Sequence, residues 1–233
     1  MKYSLSDLSQ KIMQEPRPVL LLDTCVLLDL VRTCSREGAD VNTIFAAQSF
    51  LNQNSVWMII SEIVQSELLE NIETVYTEVE KHLKKLDKNL VQFQNTLSKL
   101  PASGTFNYTR KPSEYGLHNE LKLLSEQLQQ QALVIDLDNE CAGRAMGRVV
   151  QNIAPSALGK DESKDCTIYE HYLELCRQLR VASFSKDIVF SSSNKSDFGE
   201  PNKLRQPIDT ELSSLNVKFV NNLSWASSIL TTT

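Results

Sequence analysis

The chain has 233 residues, 24 Lys plus Arg against 29 Asp plus Glu, a formal net charge of -5 and 41% hydrophobic residues. That fits one globular domain spanning 1–233, with insertions, and no apolar run approaches the roughly 18–20 residues of a membrane span. The acidic balance disfavours a module that grips nucleic acid by charge alone; such contact needs bound cations or a local basic patch.

The cysteines Cys25, Cys34, Cys141, Cys166 and Cys176 form no CxxC pair, and His82, His118 and His171 form no HExxH or HxH pattern. Disulfide frameworks and zinc sites are therefore disfavoured. The first eighteen residues lack the apolar centre of a signal peptide. The expectation is a reduced, soluble, intracellular protein, cytoplasmic with the nucleus left open, and with no membrane partner.

In chain order, Val19–Leu22 (VLLL) is a continuous apolar run that stops at Asp23 and predicts a buried strand. Residues 56–60 (VWMII) predict a second strand, β-branched and aromatic, ending at Ser61. From 62 to about 100 there is no Gly or Pro, and Ile63, Val64, Leu68, Ile72, Val75, Val79, Leu83, Leu86 and Leu90 recur at helical spacing. Residues 101–116, rich in turn residues and carrying Arg110 and Lys111, read as an exposed loop at the tip of a helical excursion. Helices follow at 118–133, 139–152 and 162–179, then strands at 188–193 (IVFSSS) and Val217–Val220 (VKFV). Continuous apolar strands separated by helices predict an α/β protein with a mostly parallel central sheet of four or five strands. The stretch 74–137 is expected as a helical arm inserted after the second strand.

Most acidic residues fit a solvated helix surface; four do not. Asp23 ends an apolar strand, where parallel sheets bind ligands, which favours a functional role over the alternative that Asp23 or Thr24 simply caps the helix that follows. Asp29, six residues later within the helix that follows, reads as surface or a minor helper. Glu67 falls on the helical face of Ile63 and Val64, where an unpaired carboxylate is costly. Asp165 aligns with Ile168, Tyr169, Tyr172, Cys176 and Leu179, the inward stripe, whereas Lys164, Glu170, Glu174, Arg177 and Gln178 take the other side. Asp161, four residues earlier, projects from the same face as Asp165, and like charges there call for a cation. Asp197 follows the third strand, with Asp187, just before that strand, as a rival. If the elements form one sheet, these carboxylates meet at one edge. Hard oxygen ligands without His or Cys suit Mg²⁺ or Mn²⁺ and the hydrolysis of phosphodiester bonds.

The ordered segments VLLLDTCVLLDL, MIISEIVQSELLEN, GKDESKDCTIYEHYLEL and IVFSSSNKSDF resemble the PIN-domain family of metal-dependent nucleases. The resemblance implies a three-layer α/β/α fold and assigns Asp23, Glu67, Asp165 and Asp197 as catalytic metal ligands, with Asp161 an additional acid. It implies an endoribonuclease that leaves a 3′-hydroxyl, often as a homodimer, and either an RNA-processing enzyme or a toxin with an antitoxin partner. Cys25 departs from the Asn or Ser of many members, which puts a supporting hydrogen bond in question. Lys160, Asn194, Arg110 and Lys111 are candidates for substrate contact, the last two beside Phe106, Tyr108 and Tyr115. Two other readings compete. One is a catalytically inactive PIN-like scaffold binding RNA or protein through its helical arm. The other is a haloacid-dehalogenase-type phosphatase, which needs an Asp where Cys25 stands.

Overall fold

The computed structural model describes residues 2–100, 104, 106–157 and 162–231. The elements run β1 (Lys2–Tyr3), α1 (Leu5–Gln14), β2 (Val19–Leu22), α2 (Thr24–Arg32), α3 (Asn42–Gln53), β3 (Trp57–Ser61) and α4 (Glu62–Leu97). A 3₁₀ turn (Pro112–Tyr115) leads into α5 (Leu117–Gln131), β4 (Leu133–Ile135), α6 (Asn139–Gln151) and α7 (Ser163–Val181). The chain then forms β5 (Ile188–Ser191), α8 (Lys195–Phe198), β6 (Gly199–Glu200), β7 (Lys203–Leu204), α9 (Ile208–Ser214), β8 (Val217–Val220) and α10 (Leu223–Leu230).

Six strands form a parallel sheet in the order β1-β4-β3-β2-β5-β8. At its centre every residue of β2 and β5 is buried, which is why those strands read as unbroken apolar runs. Helices α2, α3, α5 and α10 pack with one another as one layer, and α1, α6 and α7 as the other. The three-layer α/β/α arrangement is thus present, with one strand more than the expected four or five. The unread strands, β1 and β4, have two and three residues, too few to show a period.

Helix α4 has 36 residues, which at 1.5 Å per residue makes it about 54 Å long. Its stripe Val64, Leu68, Ile72, Val75, Val79 and Leu83 is buried, while Leu86 is exposed. Beyond that point the helix is held chiefly by Asp87, whose carboxylate accepts from Ser113 N (3.1 Å) and Ser113 Oγ (2.5 Å) of the 3₁₀ turn. The segment 74–137, expected as an insertion, is an excursion only in its middle. Helix α5 packs on α2 and α3, and β4 pairs with β3 inside the sheet.

Helix α7 is buried on almost every side over residues 166–173. Glu170, placed by the helical projection among the solvent-facing residues, is a correction: it is 3% exposed and paired with Arg144 and Arg148 of α6. A single inward stripe cannot describe a helix covered by both a sheet and a second helix. Tyr172 sets the register of α7 against the sheet: its hydroxyl donates to Leu22 O (2.5 Å) and accepts from Ser61 N (3.2 Å), at the carboxyl ends of β2 and β3. Next to it, His171 Nε2 accepts from Asp138 N, so the Nδ1 proton goes to Ser61 Oγ (2.9 Å). Burial holds this imidazole neutral, below the usual histidine range. Tyr172→Phe is expected to cost about 1–3 kcal/mol, because it leaves buried backbone groups without a partner. Urea unfolding measures it; a change under ~0.3 kcal/mol would mean that the hydroxyl carries no such role.

Candidate active site

Asp23 follows the last residue of β2 and caps α2: its Oδ1 accepts from Thr24 N (2.7 Å). The cap is thus made, by a residue that also stands at the strand end from which the site reading was argued. Its Oδ2 accepts from Ser192 Oγ (2.5 Å) and from the Cys25 thiol (3.0 Å). The side chain is buried, and burial raises its pKa; these hydrogen bonds oppose the rise and the nearby Asp197 adds to it.

From Asp23 a hydrogen-bonded chain runs both ways along the carboxyl edge of the sheet. On one side, Thr24 Oγ1 donates to Glu67 Oε2 (2.7 Å), which joins α2 to the first turns of α4. On the other, Ser192 Oγ accepts from Asn194 N (3.2 Å), and Asn194 Nδ2 donates to Asp197 Oδ2. Asp197, in α8, is 4% exposed and also accepts from Ser196 Oγ (2.7 Å). Thr24 and Ser192 are the linking residues that sequence reading passed over; the SSS run after the strand was the available signal.

Asp165, in the first turn of α7, faces this chain. Its carboxyl is pushed up to about 7 by burial first, then by the charges of Asp23, Asp197, Glu67 and Glu162. It accepts no hydrogen bond among the described residues. Glu67 is likewise raised by burial and by Asp23, with Lys164 Nζ 3.8 Å from its Oε1 opposing the rise. The structure therefore brings Asp23, Glu67, Asp165 and Asp197 into one electrostatic cluster, to which it adds Glu162.

The remaining candidates fall elsewhere. Asp187 precedes β5 at the opposite end of that strand and pairs with Lys218 (3.0 Å). Asp29 pairs with Arg36 (2.6 Å). Asn194, expected to touch substrate, donates its amide to Asp197, and its Oδ1 accepts from Ser196 Oγ. Arg110 and Lys111 adjoin the turn held by Asp87, twenty residues along α4 from Glu67, hence about 30 Å from the acids. They stand outside the cluster, and Arg110 lies over the Tyr115 ring. Lys160 and Asp161 lie outside the described residues.

Cys25, where the family resemblance put a supporting hydrogen bond in question, makes that bond with sulfur. Its thiol donates to Asp23 and accepts from Ser193 N (3.1 Å). Burial and the Asp23 charge push the thiol well above its ordinary range, so it stays a proton donor.

Arg205 secures the cluster from outside. Its guanidinium donates to four carbonyls: Pro155 and Ser156 ahead of α7, and Ser196 and Asp197 in α8. It is delivered by the β6–β7 hairpin, where Gly199 has φ +92° and an added Cβ would lie 2.6 Å from Lys203 O, so only glycine fits. Arg205→Met is expected to weaken Mn²⁺ binding about 10-fold or more by letting the two segments drift. Arg205→Lys should not restore it, since an ammonium lacks the planar fork. Calorimetric titration decides; full rescue by Lys would make charge, not geometry, the operative property.

Among the described residues no three His, Cys, Asp or Glu side chains converge closely enough to hold an ion as they stand. The donor set nevertheless fits a hard divalent cation. It is all carboxylate oxygen, and it leaves in Asp165 a repulsion that a cation would relieve.

The parallel α/β/α sheet carries these acids near the carboxyl ends of its central strands, an arrangement consistent with a nuclease-type superfamily. The chain matches the PIN domain over residues 20–198, more than half its length, and belongs to that family. No curated protein and no solved structure matches it. Among the described residues no helix is long and apolar enough to cross a membrane.

Proposed function

We propose that the chain is a metal-dependent endoribonuclease using Mg²⁺ or Mn²⁺. The observation that carries this is the chain of hydrogen bonds linking Glu67, Asp23 and Asp197 opposite Asp165, whose carboxyl is raised to about 7 by burial and then by those charges. Asp23, Glu67, Asp165 and Asp197 would hold the ion, with Asp161 a further candidate. The ion supplies Lewis-acid polarisation of a phosphoryl oxygen and offsets the charge of a polyanionic substrate on an acidic protein.

The chain's own residues do the rest. Ser192 and Cys25 fix the rotamer of Asp23, Thr24 fixes Glu67, and Asn194 with Ser196 fixes Asp197. Asp23, Glu67 and Asp197 thus keep their orientation while substrate exchanges, which is what a site of this kind needs. His171 is committed to Ser61 and Asp138 and takes no part as a base.

The test is cleavage of single-stranded RNA, hairpin RNA and single-stranded DNA with Mn²⁺, Mg²⁺ or EDTA. RNA cleavage with either ion and none with EDTA is expected. No cleavage of any substrate, together with no calorimetric Mn²⁺ binding, would instead establish the scaffold reading.

A further inference from the structure

A cavity of 260 Å³ opens beside the acids, at the carboxyl ends of β5 and β8. One wall is a face of α2 with Val26 and Asp29; the others include Asp40 before α3, Ser193 and Lys195 after β5, and Asn221 after β8. The wall adjoins the acid cluster directly: Ser193 N donates to the Cys25 sulfur, which donates to Asp23. Nothing in the metal chemistry uses this space.

Size and charge restrict what enters. At about 30 Å³ per water, the cavity holds the equivalent of roughly nine waters, enough for one planar ring system. Its charged lining is three carboxylates, Asp29, Glu37 and Asp40, against Arg36 and Lys195. Lys195 is drawn to Glu200 (2.8 Å) and Arg36 to Asp29 (2.6 Å). A phosphate is therefore disfavoured, and a neutral ring that donates hydrogen bonds is favoured. Two groups have capacity to receive it. Asp40 uses Oδ1 for Asn42 N and Nδ2, both at 3.0 Å, and Oδ2 accepts nothing among the described residues. Asn221 uses Oδ1 for Asn222 Nδ2, and its own amide protons bind nothing among the described residues.

The geometry points to a nucleobase subsite that takes a base bearing an exocyclic amino group, from the strand whose phosphodiester lies at the acids. Asp40 accepts from the amino group, and the Asn221 amide donates to a ring nitrogen or carbonyl. A carboxylate reads such amino groups, as with cytosine N4. Uracil is disfavoured because it offers a carbonyl at that edge. The inference deepens the nuclease reading and rests on it for the ligand being part of an RNA strand.

Cytidine and uridine have the same size and differ at that one group, so they are the probes. The full chain, free of metal, is titrated with each nucleoside and followed by amide chemical shifts. Cytidine is expected to bind at least ~10-fold tighter than uridine, with shifts centred on residues around Asp40 and Asn221. Asp40→Asn, which keeps the Oδ1 contact but turns the free acceptor into a donor, should erase or invert the preference. Asn221→Ala should weaken both nucleosides. Equal binding, no binding, or an unchanged preference in Asp40→Asn overturns the subsite. Preferential binding by a chain that cuts no RNA overturns the nuclease reading and leaves the subsite standing.

Discussion

Asp23→Asn is expected to lower metal-dependent RNA cleavage by at least ~100-fold while the protein stays folded. The substitution keeps the shape and the Oδ1 acceptor that caps α2, but removes the charge and turns one oxygen into an amide donor. That donor would face Ser192 Oγ and the Cys25 thiol, which now both donate to Asp23. The acid is buried, and burial raises its pKa, so neutralising it relieves a desolvation cost and the fold is not lost. Thermal unfolding and cleavage rate measured on the same preparation separate the two effects. Retention of more than a tenth of the wild-type rate would show that Asp23 is a cap alone.

Asp165→Asn is expected to stabilise the metal-free protein at pH 8 by about 1–3 kcal/mol and to leave it little changed near pH 4. The native carboxyl titrates at about 7, above its ordinary 3.8. Between those values the folded chain keeps a proton that the unfolded chain has lost, so wild-type stability falls as pH rises through that window and levels off above it. The full span corresponds to about 4 kcal/mol, and the partial exposure of Asp165 reduces it. His171 acts in the opposite sense: its pKa is lowered, so stability is lost as pH falls below the ordinary histidine value. That contribution is common to both proteins and cancels in their difference. In saturating Mn²⁺ the order should reverse, because ligand binding to the native state stabilises the wild type selectively. Urea unfolding at pH 4, 6 and 8 provides the comparison; parallel pH profiles would mean that Asp165 lies free of the other acids.

The central strands and long helices were legible because their signals are local. VLLL, VWMII and IVFSSS announce buried strands, and the stripe from Val64 to Leu83 announces α4. The short strands β1 and β4 were not legible: pairs and triplets of residues acquire strand geometry only from the neighbours they join. The same limit explains Glu170. One helical projection assumes one covered face, and α7 is covered by α6 as well as by the sheet.

By itself the sequence determined which oxygens are on offer: four carboxylates placed just past buried strands or on apolar helical faces, with no soft ligand among them. It also determined the layered fold, since period and apolarity are properties of a segment. Only the tertiary structure put Asp187 and Asp197 at opposite ends of β5, Asp197 near Asp23, and showed the Asn194 amide on an acid. It alone revealed Thr24, Ser192, Cys25 and Arg205 as the groups that hold the acids in place. A hydrogen bond such as Ser192 to Asp23, between residues far apart in the chain, has no local signature; it exists only once parallel strands carry their ends to a common edge.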